Sequence, residues 1–186
     1  CTRGASCGMS FRRAIQEKVK ERIPVGEGVG HKEKQEWDGF ESYLDNNGQV
    51  SDFVNTLDRK NLGTLGGGNH FIEIQKSDAG FVWLMIHSGS RNLGKRVEEF
   101  YHSKASTLNE RYRVALPDPD LAFLPIQEEG YDYFRDMLFA LHYAYENRQC
   151  MMKVLKETFS GVCAGNEFPP RDEHPPQLRG VGGAFR

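Results

Sequence analysis

The order of apolar and polar residues predicts two long helices in the second half of the chain. Residues 95–116 are largely polar with helical spacing, and Pro117 and Pro119 stop the pattern. Residues 131–159 carry an apolar stripe with the period of a helix, which predicts a core-facing side. The stripe consists of Phe134, Leu138, Leu141, Tyr145, Met152, Leu155 and Phe159, interrupted at Arg148. A shorter amphipathic helix is predicted at 11–22, and polar helical segments follow a glycine-spaced loop up to Leu57.

Between these helices the pattern becomes that of a β-hairpin. Residues 70–76 and 81–87 flank a Ser-Asp-Ala-Gly turn. Residues 81–86 are apolar without interruption, which predicts a strand buried on both faces. The sequence therefore predicts an α+β fold, a mixed sheet with packed helices. Residues 1–160 are interpreted as one domain, and the Pro-, Gly- and Arg-rich residues 161–186 as a loop-like tail.

Composition restricts the possible functions only coarsely. Apolar residues make up 38% and charged residues 27% of the 186 residues, as in soluble globular proteins. Lys and Arg number 24 against 26 Asp and Glu, so any contact with nucleic acid must come from a local basic patch. No apolar run approaches the roughly 20 residues that span a membrane. The four cysteines, Cys1, Cys7, Cys150 and Cys163, form no CxxC pair, which favours a reducing cytoplasm and buried thiols.

Two segments with chemically useful residues lie at the ends of the predicted hairpin. The triple glycine Gly66–Gly68 leaves backbone N–H groups free to face an anion, and His70 follows it. The second strand ends at His87, with two serines and Arg91 close behind. A tight antiparallel hairpin brings His70 and His87 side by side. Strand alternation sends Phe71 and Glu73 to one face, and His70 and Ile72 to the other.

Two imidazoles together with the thiolate of Cys7, which is next to a glycine, predict a nitrogen- and sulfur-rich metal site. The glycine turn and Arg91 predict a polyphosphate site. Structural alternatives exist for each feature. A strand-end histidine is more often structural, a triple glycine is more often a flexible turn, and Arg91 could pair with Glu98 or Glu99. The histidines without such neighbours are interpreted as structural: His31, His102 and His142.

Several of these segments resemble a known family in their residues and in their order. LGTLGGGNHFIEI at 62–74 and MIHSGSRNLGKRV at 85–97 look like the two signature stretches of the RtcB family of tRNA-splicing ligases. Cys7-Gly8-Met9 is similar to the end of that family's D-x-G-C-G-M segment. Pro24-Val25-Gly26 and residues 146–152 also fit. The resemblance covers residues 7–159.

The resemblance implies an RNA ligase that uses GTP and two Mn²⁺ ions to join a 2′,3′-cyclic phosphate or 3′-phosphate end to a 5′-hydroxyl end. The implied partners are RNA (tRNA halves or broken RNA) and GTP or GMP. By resemblance, Cys7 bridges both metals, His70 and His87 each bind one, and Arg91 holds an RNA phosphate or the reacting phosphoryl group. The residues implied to contact GMP are Asn69, His70, Phe71, Ile72 and Glu73.

The chain also departs from the family pattern. Gly4 stands where the family has a metal-binding aspartate, which weakens one of the implied metal sites. The resemblance places a third metal-binding histidine and the guanylylated histidine in a half that follows the last helix, and His174 lacks the expected surroundings. We therefore expect the 186-residue chain not to join RNA ends by itself. Two other functions remain open, a metal- and nucleotide-binding module without ligation and a metal-dependent phosphoesterase, and a covalent GMP adduct would distinguish the ligase.

Overall fold

A computed structural model describes residues 4–44, 54, 56–78 and 81–162 of the chain. The main elements, in chain order, are α1 (Gly4–Arg22), α2 (Asp38–Leu44), α3 (Thr56–Asn61), β1 (Phe71–Lys76), β2 (Val82–His87), α4 (Leu93–Arg111) and α5 (Tyr131–Val162). A 3₁₀ turn at Pro119–Leu121 and a π-helical turn at Ile126–Gly130 lie between α4 and α5. The predicted α+β class is confirmed. None of the helices in the described ranges is long and apolar enough to cross a membrane.

The predicted helices are present, with different ends. The first helix begins at Gly4 instead of residue 11, so its backbone includes Cys7. The fourth helix ends at Arg111, before the predicted stop at residue 116. Its last turn closes because the backbone N–H of Tyr112 donates to Leu108 O at 3.0 Å and Arg113 adopts a left-handed φ of 51°. Local backbone geometry therefore ends this helix before the prolines are reached.

The long helix α5 organises the core, since α1, α2, α4 and β2 all pack against it. Its inward residues are Asp136, Phe139, Ala140, Tyr143, Asn147, Met151, Leu155, Thr158 and Phe159. The first core cluster consists of Phe40, Leu62, Leu93, Val97, Tyr101, Phe139, Ala140 and Tyr143. The second, smaller cluster consists of Ile23, Leu65, Met151 and Leu155. The two clusters lie along one face of α5, so the helix connects both halves of the described structure.

The predicted apolar stripe of α5 is correct only at its C-terminal end. Leu155 and Phe159 are buried, whereas Phe134 and Leu141 are 48% and 45% exposed. The buried face of the first half includes the polar residue Asp136. The apolar pattern therefore predicted the neighbouring face. The true inward face also carries polar groups, which are satisfied by hydrogen bonds that the sequence does not reveal.

The hairpin forms as predicted, as an antiparallel pair in which Phe71 is opposite His87 and Lys76 is opposite Val82. Its inner face rests on the second core cluster through Ile72, Leu84 and Ile86. The expectation that 81–86 is buried on both faces is wrong.

The outer face of the hairpin explains this error. Phe81 and Trp83 are 68% and 61% exposed, and Met85 is also exposed. Among the described residues nothing packs on that face, so only alternate side chains of β2 are partly buried. An uninterrupted apolar run was therefore not evidence for burial on both sides.

A buried carboxylate joins α4 to α5. Tyr101 Oη donates to Asp136 Oδ2 at 2.6 Å, and Arg135 Nε lies 3.4 Å from Asp136 Oδ1. Burial raises the pKa of Asp136, while the hydrogen bond from Tyr101 and the charge of Arg135 act in the opposite direction. The folded protein therefore takes up a proton at this carboxyl more readily than the unfolded chain does.

This difference predicts a pH-dependent stability. Between about pH 7 and the pKa of about 3.9 of an unfolded aspartate, the contribution of Asp136 to the free energy of unfolding should increase as the pH falls. The difference in unfolding free energy between wild type and Asp136→Asn, measured by urea denaturation, should therefore shift in favour of wild type from neutral to acid pH. Asp120→Asn removes an exposed carboxylate and is the control. A difference that stays constant with pH would contradict the prediction.

Candidate functional site

The glycine-rich turn at one end of the hairpin is held by a neighbouring loop. Leu65 N donates to Pro24 O at 3.0 Å, and Gly26 N donates to Gly66 O at 2.9 Å. Val25 and Gly66 form an isolated parallel bridge. The start of the turn, at Leu65 and Gly66, is therefore tethered by backbone hydrogen bonds, which disfavours the alternative of an untethered turn at these two residues.

The hairpin register brings the two candidate histidines together. The rings of His70 and His87 have their centroids 6.0 Å apart. His87 is exposed and stacks on Phe71 at 5.4 Å with an interplanar angle of 14°. His70 is partly buried, and its Nδ1 has no hydrogen-bond partner among the described residues although that atom is buried. A buried ring nitrogen without a partner is costly, so this atom is a candidate ligand atom.

Arg91 lies beside the same turn. Its Nε donates to Thr64 Oγ1 at 2.9 Å and its Nη2 donates to Gly26 O at 3.1 Å. The alternative pairing with Glu98 or Glu99 is not observed among the described residues. Burial lowers the pKa of the Arg91 guanidinium, which nevertheless remains a cation because an arginine is not deprotonated in proteins. Arg91 therefore gives the site a fixed, partly buried positive charge.

Gly66 allows these groups to approach each other. Its φ is +92°, in the left-handed region that favours glycine. A Cβ at this position would overlap Arg91 Nη1 and would lie 2.6 Å from His70 Nδ1. Glycine is therefore required both by backbone conformation and by the space that the guanidinium and the imidazole occupy.

Three residues that the sequence reasoning did not select for this role hold the loops in place. Asn147, fully buried on α5, is hydrogen-bonded to both loops of the site. Ser88 Oγ donates to Leu65 O at 2.9 Å, and Arg148 Nη1 donates to Ser88 O at 3.1 Å. The only sequence signal for the helix residues was the fit of residues 146–152 to the family pattern, since their partners lie about 60 to 85 positions away along the chain.

The other residues implied to contact GMP occupy two faces. Phe71 and Glu73 are exposed on the outer face of the hairpin, on the side of His87, and Asn69 is exposed just before β1. Ile72 faces the second core cluster. Nucleotide contacts of these residues stay predictions.

The metal site is only partly described. Cys7 belongs to α1, but its side chain lies outside the described residues, so its role as a ligand stays a prediction. No group of three His, Cys, Asp or Glu side chains suited to a metal occurs among the described residues. The ring centroids of His70 and His87, 6.0 Å apart, place two imidazoles that could bind metal at the same end of the hairpin.

Residues interpreted as structural have structural surroundings where they are described. Tyr43 Oη and His142 Nδ1 share a hydrogen bond of 2.7 Å. Cys150 packs against the first core cluster, and burial raises the pKa of its thiol to about 11. Such a thiol is protonated near neutral pH and therefore is a poor nucleophile. Cys1 and Cys163 lie outside the described residues.

Comparisons with known proteins agree on one family. The sequence profile described as "tRNA-splicing ligase RtcB" matches residues 5–172. The tRNA-splicing ligase RtcB of Methanococcus maripaludis is 31% identical over 173 residues, which cover 81% of this chain and 36% of that protein. The tRNA-splicing ligase RtcB of Archaeoglobus fulgidus is 39% identical over 124 residues, or 59% of this chain and 26% of that protein.

A bacterial relative gives the same result. The RNA-splicing ligase RtcB of Escherichia coli K12 is 41% identical over 105 residues, which cover 54% of this chain and 25% of that protein. The chain thus spans about a third or less of the length of these curated relatives.

A matched pair of glycine substitutions tests whether close approach shapes the site. Gly66→Ala and Gly68→Ala both place an alanine at a positive φ, which costs about 1–2 kcal/mol, but a Cβ at Gly68 meets nothing within 4 Å. Gly66→Ala should lose about 1–3 kcal/mol more, because it also displaces Arg91 and His70. Urea denaturation of both variants measures the difference. Equal destabilisation would show that the guanidinium and the imidazole do not need the space at Gly66.

Proposed function

The chain belongs to the tRNA-splicing ligase RtcB family, and on that basis we propose that it is part of a GTP- and Mn²⁺-dependent RNA ligase. The reaction joins an RNA 2′,3′-cyclic phosphate or 3′-phosphate end to a 5′-hydroxyl end. The proposal rests on one observation: His70, His87 and Arg91 lie together around the turn at Gly66. These are the groups that phosphoryl transfer needs, namely metal-binding nitrogens and a fixed cation.

The two imidazoles are proposed to hold manganese together with the thiolate of Cys7. Their spacing and the unpartnered Nδ1 of His70 support this assignment. A bound Mn²⁺ ion would neutralise charge on phosphoryl oxygens. His87 is exposed and stacked on Phe71, so its ring can reach a ligand while its orientation is restricted.

Arg91 is proposed to bind a phosphate of the RNA or the reacting phosphoryl group. Its Nε and Nη2 are occupied by Thr64 and Gly26, which fix the plane of the guanidinium before any ligand arrives. Fixed donors are effective in catalysis because they need no reorganisation when charge develops. Arg148, which donates to Ser88 O, adds a second cation near the same loop.

The metal assignment predicts that the 186-residue chain binds Mn²⁺ and that His70→Asn or His87→Asn weakens binding by about 10-fold or more. The chain should be stripped with a chelator first, because thiolate and imidazole also retain Zn²⁺. Electron paramagnetic resonance of free Mn²⁺ measures the affinity, and Cys7→Ala tests the proposed third ligand. The control is His102→Asn on α4. No Mn²⁺ binding by wild type, or unchanged affinity in both histidine variants, would contradict the assignment.

The nucleotide assignment predicts that GTP binds more tightly than ATP in the presence of Mn²⁺. Asn69 follows the glycine turn and is exposed, so its amide can reach a nucleotide oxygen. Asn69→Ala should weaken GTP binding by about 10-fold, equivalent to about 1.4 kcal/mol. Calorimetry provides the affinities, with Gln75→Ala, another exposed amide on the hairpin, as the control. ATP binding as tight as GTP binding would argue against a guanosine-specific site.

A further inference from the structure

We infer that Asn147 is a positioning residue, whose single buried amide ties the loop at residues 63–64 to the loop at residues 88–89 beside the two paired histidines. This inference rests on the proposed function for the identity of the metal, but the effect of Asn147 on the two histidines can be tested without metal. Asn147 is 0% exposed and lies in the middle of α5, the helix on which the core is built.

The amide oxygen holds the loop that precedes His70. Asn147 Oδ1 accepts hydrogen bonds from the backbone N–H groups of Gly63 at 2.7 Å and Thr64 at 3.0 Å. Thr64 in turn accepts the hydrogen bond from Arg91 Nε. The position of the guanidinium therefore depends on Asn147 through one intermediate residue.

The amide nitrogen holds the loop that follows His87. Asn147 Nδ2 lies 3.0 Å from Gly89 O and 3.3 Å from Ser88 Oγ, and 3.2 Å from Thr64 O. Its two N–H groups therefore bond both loops at once. The Ser88 hydroxyl can accept from Asn147 while it donates to Leu65 O, which adds a second connection between the loops.

The partners of these hydrogen bonds distinguish a residue that positions the site from one that only stabilises the core. Every hydrogen bond of the Asn147 side chain goes to residues 63–64 or 88–89, which are the segments next to the candidate site. Asn109, another buried asparagine in the described part of the chain, does not share this arrangement. Asn109, on the last turns of α4, donates to Phe123 O at 2.7 Å in the connection towards α5.

Asn109 therefore provides a matched control. Asn109→Ala and Asn147→Ala each delete a buried amide that donates to a backbone carbonyl, and each should lower stability, Asn147→Ala by more because its side chain makes more hydrogen bonds. Only Asn147→Ala should change the surroundings of His70 and His87. Asn147→Asp keeps an oxygen for the Gly63 and Thr64 amides but loses the N–H groups that donate to Thr64 O, Ser88 Oγ and Gly89 O, so it should loosen the second loop more than the first.

Two measurements distinguish a positioning role of Asn147 from a purely structural one. The first is the NMR spectrum of ¹⁵N-labelled histidine side chains without metal, in which Asn147→Ala should shift the signals of both His70 and His87. Asn147→Asp should shift mainly His87, and Asn109→Ala neither. The second is Mn²⁺ affinity, which should fall about 10-fold or more in Asn147→Ala and remain at the wild-type value in Asn109→Ala.

A milder variant keeps the test decisive if Asn147→Ala does not fold. Ser88→Ala removes only the hydroxyl link, so it should stay folded, shift the His87 signal and weaken Mn²⁺ binding several-fold. Unchanged histidine spectra in folded Asn147 or Ser88 variants would overturn the inference. Absence of Mn²⁺ binding by wild type would instead contradict the proposed function, and the metal-free spectra would still decide the role of Asn147.

Discussion

The hydrogen bonds of the Asn147 amide are the constraint on which the arrangement of the site depends. Leu62 and Leu65 bury the first loop in the two core clusters, but the hydrophobic effect has no direction and does not fix the positions of the backbone groups between them. A buried amide can fix them, because leaving its donors and acceptors unpaired would cost about 1–3 kcal/mol each. The two loops therefore reach their lowest free energy only when both contact α5 together. The packing of α5 against α1, α2, α4 and β2 is what makes the anchor rigid.

Much of this fold could be predicted because it is determined by nearby residues. The segments on either side of the Ser-Asp-Ala-Gly sequence pair as predicted, and strand alternation correctly placed Ile72 on the face opposite Phe71. The exposure of the outer face of β2 and the identity of the inward side of α5 could not be predicted in the same way. Each depends on which surfaces are covered in three dimensions, and hydrophobicity measures only the preference of a side chain for burial.

The same distinction applies to the site. The juxtaposition of His70 and His87 followed from the geometry of an antiparallel pair, and the structure brings them to a centroid separation of 6.0 Å. The roles of Asn147 and Ser88 could not be read from the sequence, because an asparagine in a helix usually faces solvent. A buried asparagine on an otherwise apolar face becomes informative only once its distant partners are known. The position of the Cys7 side chain, outside the described residues, stays a prediction.

The two ends of the hairpin are held by different hydrogen bonds. An isolated two-stranded hairpin is marginally stable in water, so it depends on what holds it. The end with the histidines is tethered by Ser88 to Leu65 and by the Asn147 amide. At the turn end, the described hydrogen bonds join Ser77 to Phe81, within the hairpin itself. Among the described residues, the hydrogen bonds that hold the hairpin to the rest of the protein thus lie at the end that carries His70 and His87. At this end the proposed metal ligands would need a fixed spacing, since small displacements there would be costly for binding.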